Sequence, residues 1–481
     1  MRHDSRWVLA LASAASLMVA LDTLVVSTAL STIRVELNAS LAALEWTVNA
    51  YNLSFAVLLM TGAALGDRFG RRRGFTVGLA IFVAGSAACA LAPSVDALIA
   101  ARAVQGAGAA LVMPLGMALV SSAFAPDKRG QALGVYFGVT GLAVASGPVV
   151  GGAITEGLAW EWIFWLNVPL GLALLALIPR RMQESHGPDG ALDLVGLGLV
   201  GVAAFGVVWG LVRGNLAGWG SAEVVFAFAA GVACLALFIA WERRVADPML
   251  PLRFFRSRAF AAGNAAVFFA VASLFGAVFF LAQFLQTGLG YGPLDAGLRL
   301  LPWTLTLFFV APLAGALVDR HGERPFMVAG LALQGTGMGW IALIAEPGIA
   351  YASMIAPLII AGCGVSMTFP AGQNSVVGAV PPEAVGKAAG TNSTLRELGG
   401  VFGIALLVAV FAGAGGYGSP AQFVDGFAPA LGVTAGLSFA GALVGLALPK
   451  HQLRPRDVVP GVELEADPPV GPDGLEAQRA V

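Results

Sequence analysis

Long runs of apolar residues alternate with short polar connections along almost the whole chain. A helix needs about 20 residues to cross the apolar core of a bilayer, and run after run is close to that length. The pattern therefore predicts an all-α integral membrane protein. About fourteen helices are predicted, near residues 8–30, 46–65, 75–92, 97–122, 132–155, 162–179, 192–212, 223–241, 259–283, 296–318, 326–345, 350–372, 387–412 and 426–448.

The composition excludes a soluble globular protein. Hydrophobic residues make up 58% of the chain and charged residues 11%, whereas a soluble domain has about 25% charged residues. Cys89, Cys234 and Cys363 lie inside apolar runs without a CxxC pattern, so we expect neither a disulfide nor a metal site. The first run, Val8 to Leu30, is too long for a signal peptide and is expected to remain as the first membrane helix.

Basic residues fall mainly on one side of the predicted helices. Cytoplasmic loops of membrane proteins are enriched in Lys and Arg, so this side is predicted to be cytoplasmic. Only Arg34 and Arg213 are placed on the opposite side. Both termini are then cytoplasmic, which requires an even number of helices and agrees with the count. The residues of the first side are Arg2, Arg6, Arg68–Arg73, Lys128, Arg129, Arg180, Arg181, Arg243–Arg258, Arg320, Arg324, Lys387 and Lys450–Arg456.

One turn sequence, Asp-Arg-x-Gly-x-Arg, occurs twice, starting at Asp67 and at Asp319. Each copy follows the second long apolar run of its half. Such a duplication indicates a transporter made of two related halves with its site between them. We predict an N-terminal six-helix bundle at 1–182, an inserted helix pair at 183–245, a C-terminal six-helix bundle at 246–450 and a disordered cytoplasmic tail at 451–481.

Three further segments carry distinctive patterns: Leu98 to Ala110, Gly147 to Gly152, and Leu21-Asp22-Thr23. Together with the repeated turn, they resemble motif B, motif C, the first-helix motif and motif A of the major facilitator superfamily, in its fourteen-span drug:proton antiporter branch. The resemblance covers nearly the whole chain apart from the tail. It implies the major facilitator fold, with two six-helix bundles and a two-helix insertion between them.

Two ionisable residues are predicted inside the membrane. Such side chains are costly there and usually serve a transport pathway. At about 1.5 Å of helix per residue, Asp22 and Arg102 lie at similar depth, where they can pair or compete. We predict that they couple transport to protons. A static structural ion pair is the alternative.

The repeated turn is predicted to be a conformational latch. A carboxylate at a turn can hold an arginine or the N-terminal end of a helix, and so stabilise one conformation. The resemblance implies that this is the outward-facing state, and glycine permits the tight turn. The alternative is charge that only sets topology. The predicted latch residues are Asp67, Arg68, Gly70, Arg71, Asp319, Arg320 and Gly322.

The fifth predicted helix carries Gly147, Pro148, Gly151 and Gly152. Proline frees a backbone carbonyl, and glycines four residues apart let another helix approach closely. The resemblance implies a bend and seal used in alternating access, and an ordinary packing kink is the alternative.

A substrate cavity should be mostly apolar with a few polar anchors. Arg396 and Glu397 are neighbours in one helix and are therefore expected to address different surfaces, and which of them faces the cavity stays open. The face that Arg396 shares with Asn392 and Gly399 either lines the cavity or contacts the other half. The candidate cavity residues are Asn49, Met113, Phe279, Gln283, Gln286 and Arg396.

The resemblance implies a multidrug exporter of hydrophobic or cationic small molecules, working in exchange for protons by alternating access. An uptake carrier for a small metabolite and a membrane sensor are the alternatives. No GxxxxGK[ST] loop is present for ATP hydrolysis, and no His, Cys or Ser constellation indicates an enzyme. We expect no cofactor because the proton gradient drives transport. We further expect no nucleic acid partner, a bacterial cytoplasmic membrane location and, from the resemblance, a monomer.

Overall fold

The computed structural model of the protein describes residues 5–124, 126–186, 193–245, 248, 250–381 and 384–450, with the backbone alone at 126, 127, 129–131, 137, 144, 145, 319, 320 and 386. The tail predicted to be disordered, 451–481, lies outside these residues. Within the described ranges, fourteen helices are long and apolar enough to cross a membrane, which confirms the predicted number. In chain order they are α1 Ser5–Glu36, α2 Leu41–Phe69, α3 Arg71–Ala90, α4 Val95–Ala123, α5 Ala132–Gly157, α6 Trp162–Arg181, α7 Leu194–Ala217, α8 Ala222–Glu242, α9 Arg258–Gly288, α10 Pro293–Val318, α11 Glu323–Ile344, α12 Ala352–Val377, α13 Lys387–Ala414 and α14 Pro420–Gly445.

Backbone hydrogen bonds explain why these segments are helical. A bilayer offers the backbone no partner, so each N–H and C=O of a spanning segment must bond within it. Serine side chains also accept N–H bonds from the first turns of α2, α4, α8 and α14. Two spans are interrupted, which the sequence did not predict. A break after Trp165 divides α6, and breaks after Arg299 and after Thr304 divide α10.

The helices form two bundles and an attached pair. In the first bundle α4 packs against α2 and α3, and α1 packs against α5; in the second, α9 packs against α13 and α14, and α11 against α12 and α14. The inserted α7 and α8 pack on each other, and α7 contacts α2 and α13. Glycine permits close packing: a Cβ on Gly108 would lie 2.8 Å from Phe82 Cα. The residue boundaries predicted between the domains stay a prediction.

The ends of the bundle differ in charge. Fourteen spans return the chain to the side on which it starts, so α1 begins and α14 ends at one end, here called the proximal end. Arg34 and Arg213 lie at the other, distal end. Arg299 is there too, at the start of α10, where its Nη1 pairs with Asp295 at 2.7 Å and its guanidinium lies 3.7 Å from the Tyr291 ring centroid. The predicted count of two distal arginines left out Arg299, because that residue falls inside the helix predicted at 296–318.

Candidate functional site

A buried ion pair lies inside the first bundle. Arg102 Nη1, on α4, donates to Asp22 Oδ2, on α1, at 2.5 Å, and both side chains are 1% exposed. The structure thus brings together the two charges that the sequence placed at similar depth. Removing water from either charge alone is costly, so each offsets the desolvation of the other.

Two amides complete the surroundings of the Asp22 carboxylate. Gln105 Nε2 and Asn167 Nδ2 donate to Asp22 Oδ1 at 2.9 and 2.8 Å. Asn167 Nδ2 also lies 3.0 Å from Ser86 Oγ. A proton on Asp22 would remove the negative charge that attracts donors on α4 and α6. This one carboxylate therefore joins α1, α4 and α6. Sequence reasoning missed both amides, although a buried amide in a spanning segment is a usable signal.

Arg102 also connects α4 to α2. Its Nε donates to the Thr47 carbonyl at 3.1 Å, and its guanidinium carbon lies 4.1 Å from the Tyr51 ring centroid. A cation over an aromatic face is attracted by the ring electrons. Its Nη2 has no hydrogen-bond partner in the part of the chain that the structure describes. Arg102 is thus held by contacts to α1 and α2, and its Nη2 is available to donate a further hydrogen bond.

A second polar group follows one face of α2. Glu45, Asn49 and Asn52 are at most 1% exposed, and Asn49 Nδ2 donates to Glu45 Oε1 at 3.1 Å. Glu45 Oε2 and both amide atoms of Asn52 have no partner among the described residues. Unpaired buried polar atoms cost free energy. Water or substrate that reached this face in another conformation would supply the missing partners. Asn49, which was predicted to line the substrate cavity, is buried in this conformation.

The first copy of the repeated turn makes its contacts within its own half. Asp67 Oδ1 accepts from Arg71 Nε at 2.7 Å across Gly70, whose φ of 110° favours glycine. The loop after α6 closes over the turn, because Glu184 Oε1 accepts from the Arg72 N–H at 2.8 Å. Arg68 lies with its guanidinium over the neighbouring Phe69 ring. The contact of Glu184 with the turn was not predicted, because no sequence pattern in a short polar loop indicates which residue it contacts.

The second copy supports the same turn geometry. Gly322 has a φ of 82°, again in the region that favours glycine. The side chains of Asp319 and Arg320 lie outside the described residues. The latch function of both copies stays a prediction.

Helix α5 carries small residues on two edges. On one edge, a Cβ on Gly147 would lie 2.7 Å from Leu24 Cβ, and one on Gly151 would lie 3.1 Å from Val25 Cα, both on α1. On the other edge, a Cβ on Gly152 would lie 2.8 Å from Leu294 Cα on α10. The close approach predicted from the glycine spacing is thus present. Helix α5 is held between α1 of its own half and α10 of the other.

Pro148 belongs to the second edge of α5. A Cβ on Gly297 of α10 would lie 2.8 Å from the Pro148 carbonyl carbon. Helices α5 and α10 therefore meet backbone to backbone, with no room for larger residues at Gly152 or Gly297.

Polar contacts join the halves at the same distal end. The Leu294 N–H donates to Glu156 Oε2 at 2.9 Å, and Gln286 Nε2 donates to the Thr28 carbonyl at 3.0 Å. The Arg34 guanidinium carbon lies 4.1 Å from the ring centroid of Tyr417. These contacts and the α5–α10 packing form what we call the distal seal. The structure is closed at this end.

Tyr417 also donates its hydroxyl hydrogen to Gln283 Oε1. Burial raises the pKa of the Tyr417 phenol, which keeps its proton available for this bond. Phe279 is 2% exposed and Gln283 is fully buried, so neither faces open space in this conformation. Met113 is half-buried. The assignment of these residues to a substrate cavity stays a prediction.

Arg396 and Glu397 do not address different surfaces. Arg396 Nη2 donates to Glu397 Oε1 at 2.9 Å, with the two side chains 34% and 8% exposed. The expectation was wrong because the long arginine side chain reaches around the helix to its neighbour. The face with Asn392 and Gly399 packs on α9 of the same half: Asn392 Nδ2 donates to Asn264 Oδ1 at 3.1 Å, and a Cβ on Gly399 would lie 2.6 Å from the Phe268 carbonyl oxygen.

We expect Gly152→Leu to break the distal seal. The added side chain cannot fit against Leu294, and overpacking of this kind costs about 1–3 kcal/mol. The test uses a protein in which Cys89, Cys234 and Cys363 are replaced and Thr28→Cys is introduced at a buried position. When Gly152→Leu is added, this cysteine should react faster with a thiol reagent that cannot cross the membrane. The control is Gly138→Leu on the same helix, where a Cβ would meet nothing within 4 Å. Equal labelling in both variants would show that α5 does not close this end.

Membrane-length helices, an ion pair buried in one bundle and a seal between two bundles define a multi-pass membrane transporter. The sequence model of the Major Facilitator Superfamily matches residues 12–404 and again 264–470. The chain belongs to the Major Facilitator Superfamily, and its fold is the one that the motifs implied.

Similar proteins agree with this family, and a solved structure agrees with the fold. The cephamycin export protein CmcT of Amycolatopsis lactamdurans is 35% identical over 460 residues, 94% of each chain. The tetracenomycin C resistance and export protein of Streptomyces glaucescens is 34% identical over 420 residues, 86% of this chain and 78% of that one. The peptide transporter POT in complex with sulfate has a TM-score of 0.68 over 92% of this chain and 94% of that one, at 16% identity. The last likeness shows the fold alone.

Proposed function

We propose that the protein exports hydrophobic or cationic small molecules, such as drugs and antibiotics, across the membrane. The two relatives described above are named for the export of antibiotics, and the multidrug efflux pump LfrA of Mycolicibacterium smegmatis is 34% identical over 412 residues. A transporter of such compounds needs no enzymatic step. We therefore infer no enzyme activity for this chain.

Export is proposed to be driven by protons entering the cell, without a cofactor. The observation that carries this step is the buried Asp22–Arg102 pair with its two amide donors. Asp22 is a proton acceptor inside the membrane whose charge holds three helices together. Binding and release of one proton there changes the contacts of α1, α4 and α6, and this links proton movement to rearrangement of the bundle.

Alternating access is proposed to open the distal seal while the proximal turns close. In the conformation described here the distal seal is formed, and the Asp67 contacts stay within one half. The positive proximal end is proposed to face the cytoplasm of a bacterial cell, with both termini there. We further propose that the transporter acts as a monomer and has no nucleic acid partner.

The first test uses purified protein in liposomes and a fluorescent lipophilic cation. Export in exchange for protons predicts that the dye accumulates in liposomes with an acidic lumen and leaves when an ionophore removes the gradient. Protein-free liposomes with the same gradient are the control for passive entry. Dye uptake that needs the protein but ignores the gradient would contradict proton coupling and favour a passive carrier. No protein-dependent uptake of any lipophilic cation tested would favour the sensor alternative.

A further inference from the structure

A cavity of about 780 Å³ lies at the proximal end, where α8 ends and α9 and α13 begin. Four of its lining residues are basic: Arg243 at the end of α8, Arg253 and Arg256 in the connection to α9, and Lys387 at the start of α13. All four are exposed. The cavity is remote in the fold from Asp22 and from the distal seal, and the function proposed above does not use it.

The walls of this proximal cavity are held in place by the fold. The Leu250 N–H donates to Glu242 Oε2 at 3.1 Å, and Glu242 is only 3% exposed. Beyond it, Phe254 is buried, and its ring lies 5.4 Å from the ring of Phe260 on α9. The connection is thereby anchored at both ends of its basic stretch. Arg253 and Arg256 are presented by a short 3₁₀ helix, Leu252–Arg256, rather than by a free loop.

Three of the four basic residues around the proximal cavity make no ion pair in the part of the chain that the structure describes. Arg243, Arg253 and Arg256 have no acidic partner within 4.0 Å among the described residues. Glu242 is the acidic residue among the described lining residues, and its carboxyl group accepts the Leu250 N–H, so basic residues outnumber acidic ones around the cavity. Cations that converge on one cavity repel one another, and an anion inside it would remove that repulsion.

The lining chemistry indicates what kind of anion fits. Guanidinium groups bind phosphate oxygens through paired, charge-assisted hydrogen bonds. Leu252 and Phe255 also line the cavity and offer an apolar surface beside the charges. The cavity lies at the ends of membrane-spanning helices, and the ends of helices long enough to cross the apolar core are expected at the headgroup level. Basic pockets between helices at such a surface attract anionic lipids.

We propose that the proximal cavity binds the phosphate group of an anionic membrane lipid. Its headgroup contacts Arg253 and Arg256, and the start of its acyl chains lies along Phe255. The bound lipid then connects α8 of the inserted pair with α9 and α13 of the second bundle. Free inorganic phosphate has the same recognition chemistry, so the test separates the two sources.

The test compares two double variants of the full-length protein. Arg253→Gln/Arg256→Gln removes two charges from the cavity. Arg244→Gln/Arg258→Gln removes two exposed charges that lie close by in the chain and do not line the cavity. Phosphatidylglycerol binding is measured by native mass spectrometry, and the thermal unfolding midpoint is recorded as lipid or inorganic phosphate is added. We expect the cavity variant to bind phosphatidylglycerol about tenfold more weakly or worse, and the control to match the wild type.

Each outcome decides the proposal. An equal loss of lipid binding in both variants would indicate a general surface charge effect and overturn it, as would no loss in either. If inorganic phosphate raises the unfolding midpoint of the wild type and phosphatidylglycerol does not, the ligand is free phosphate and the lipid assignment is wrong. Stabilisation by the lipid alone, lost only in the cavity variant, supports it.

Discussion

Replacing Arg102 with Met is expected to lower the free energy of unfolding by about 3–5 kcal/mol, because Asp22 is left as a buried charge without its cation. Met has a similar length and no charge, so the volume of the site changes little. Unfolding in a denaturing detergent, followed by tryptophan fluorescence, measures the loss. The control is Arg213→Met, which removes an arginine from the exposed pair with Glu223 and should change stability little.

The double variant Asp22→Asn/Arg102→Met tests whether the ion pair is the cause. Asparagine and methionine leave no uncompensated charge, so the double variant should regain part of the stability that Arg102→Met loses. Residues in direct contact are expected to be coupled in this way. Simple addition of the two single losses would mean that Arg102 stabilises the bundle through its Thr47 and Tyr51 contacts instead.

Asp22→Asn alone is expected to reduce gradient-driven uptake by about tenfold or more, since an amide cannot take up and release the coupling proton. Exchange of labelled for unlabelled substrate at equal pH on both sides needs no proton movement and should continue. Both rates are measured in the same proteoliposomes. Asp96→Asn, at the exposed start of α4, is the matched control.

Three results would change this interpretation of Asp22. Undiminished gradient-driven uptake in Asp22→Asn would place the coupling proton on another group. Loss of both transport modes in a variant that unfolds like the wild type would give Asp22 a role in substrate movement. Loss of both modes in an unstable variant would show that the carboxylate is structural, the alternative that the sequence left open.

Much of the fold was predictable because the bilayer restricts the choices. Spanning segments must be helices of a certain length, so apolar runs alone gave the correct number. The meeting of Asp22 and Arg102 was predictable from the regular rise of a helix, which converts sequence position into depth. The close approach of another helix to Gly147 and Gly151 followed from the absence of side chains at that spacing, whereas only the structure shows that this helix is α1.

The partners of these residues were not predictable in the same way. Gln105 and Asn167 reach Asp22 only because three helices are rotated to face one another, and apolar periodicity is weak when most faces are apolar. The interruptions of α6 and α10 depend on how these segments pack. The contact between Arg396 and Glu397 depends on a side-chain conformation, which the spacing of residues along a helix does not determine.

Substitutions on the two edges of α5 are expected to reduce transport for two different reasons. A genetic screen that counts only lost transport would score changes at Gly151 and at Gly152 alike. The first position faces the protein's own half, so we expect a larger residue there to interfere with assembly and to lower the amount of protein in the membrane. The second faces the opposite half, so we expect a larger residue there to leave the amount unchanged and to alter how long the transporter stays in each state. Measuring protein abundance beside activity would separate defects of biogenesis from defects of the transport cycle along a single helix.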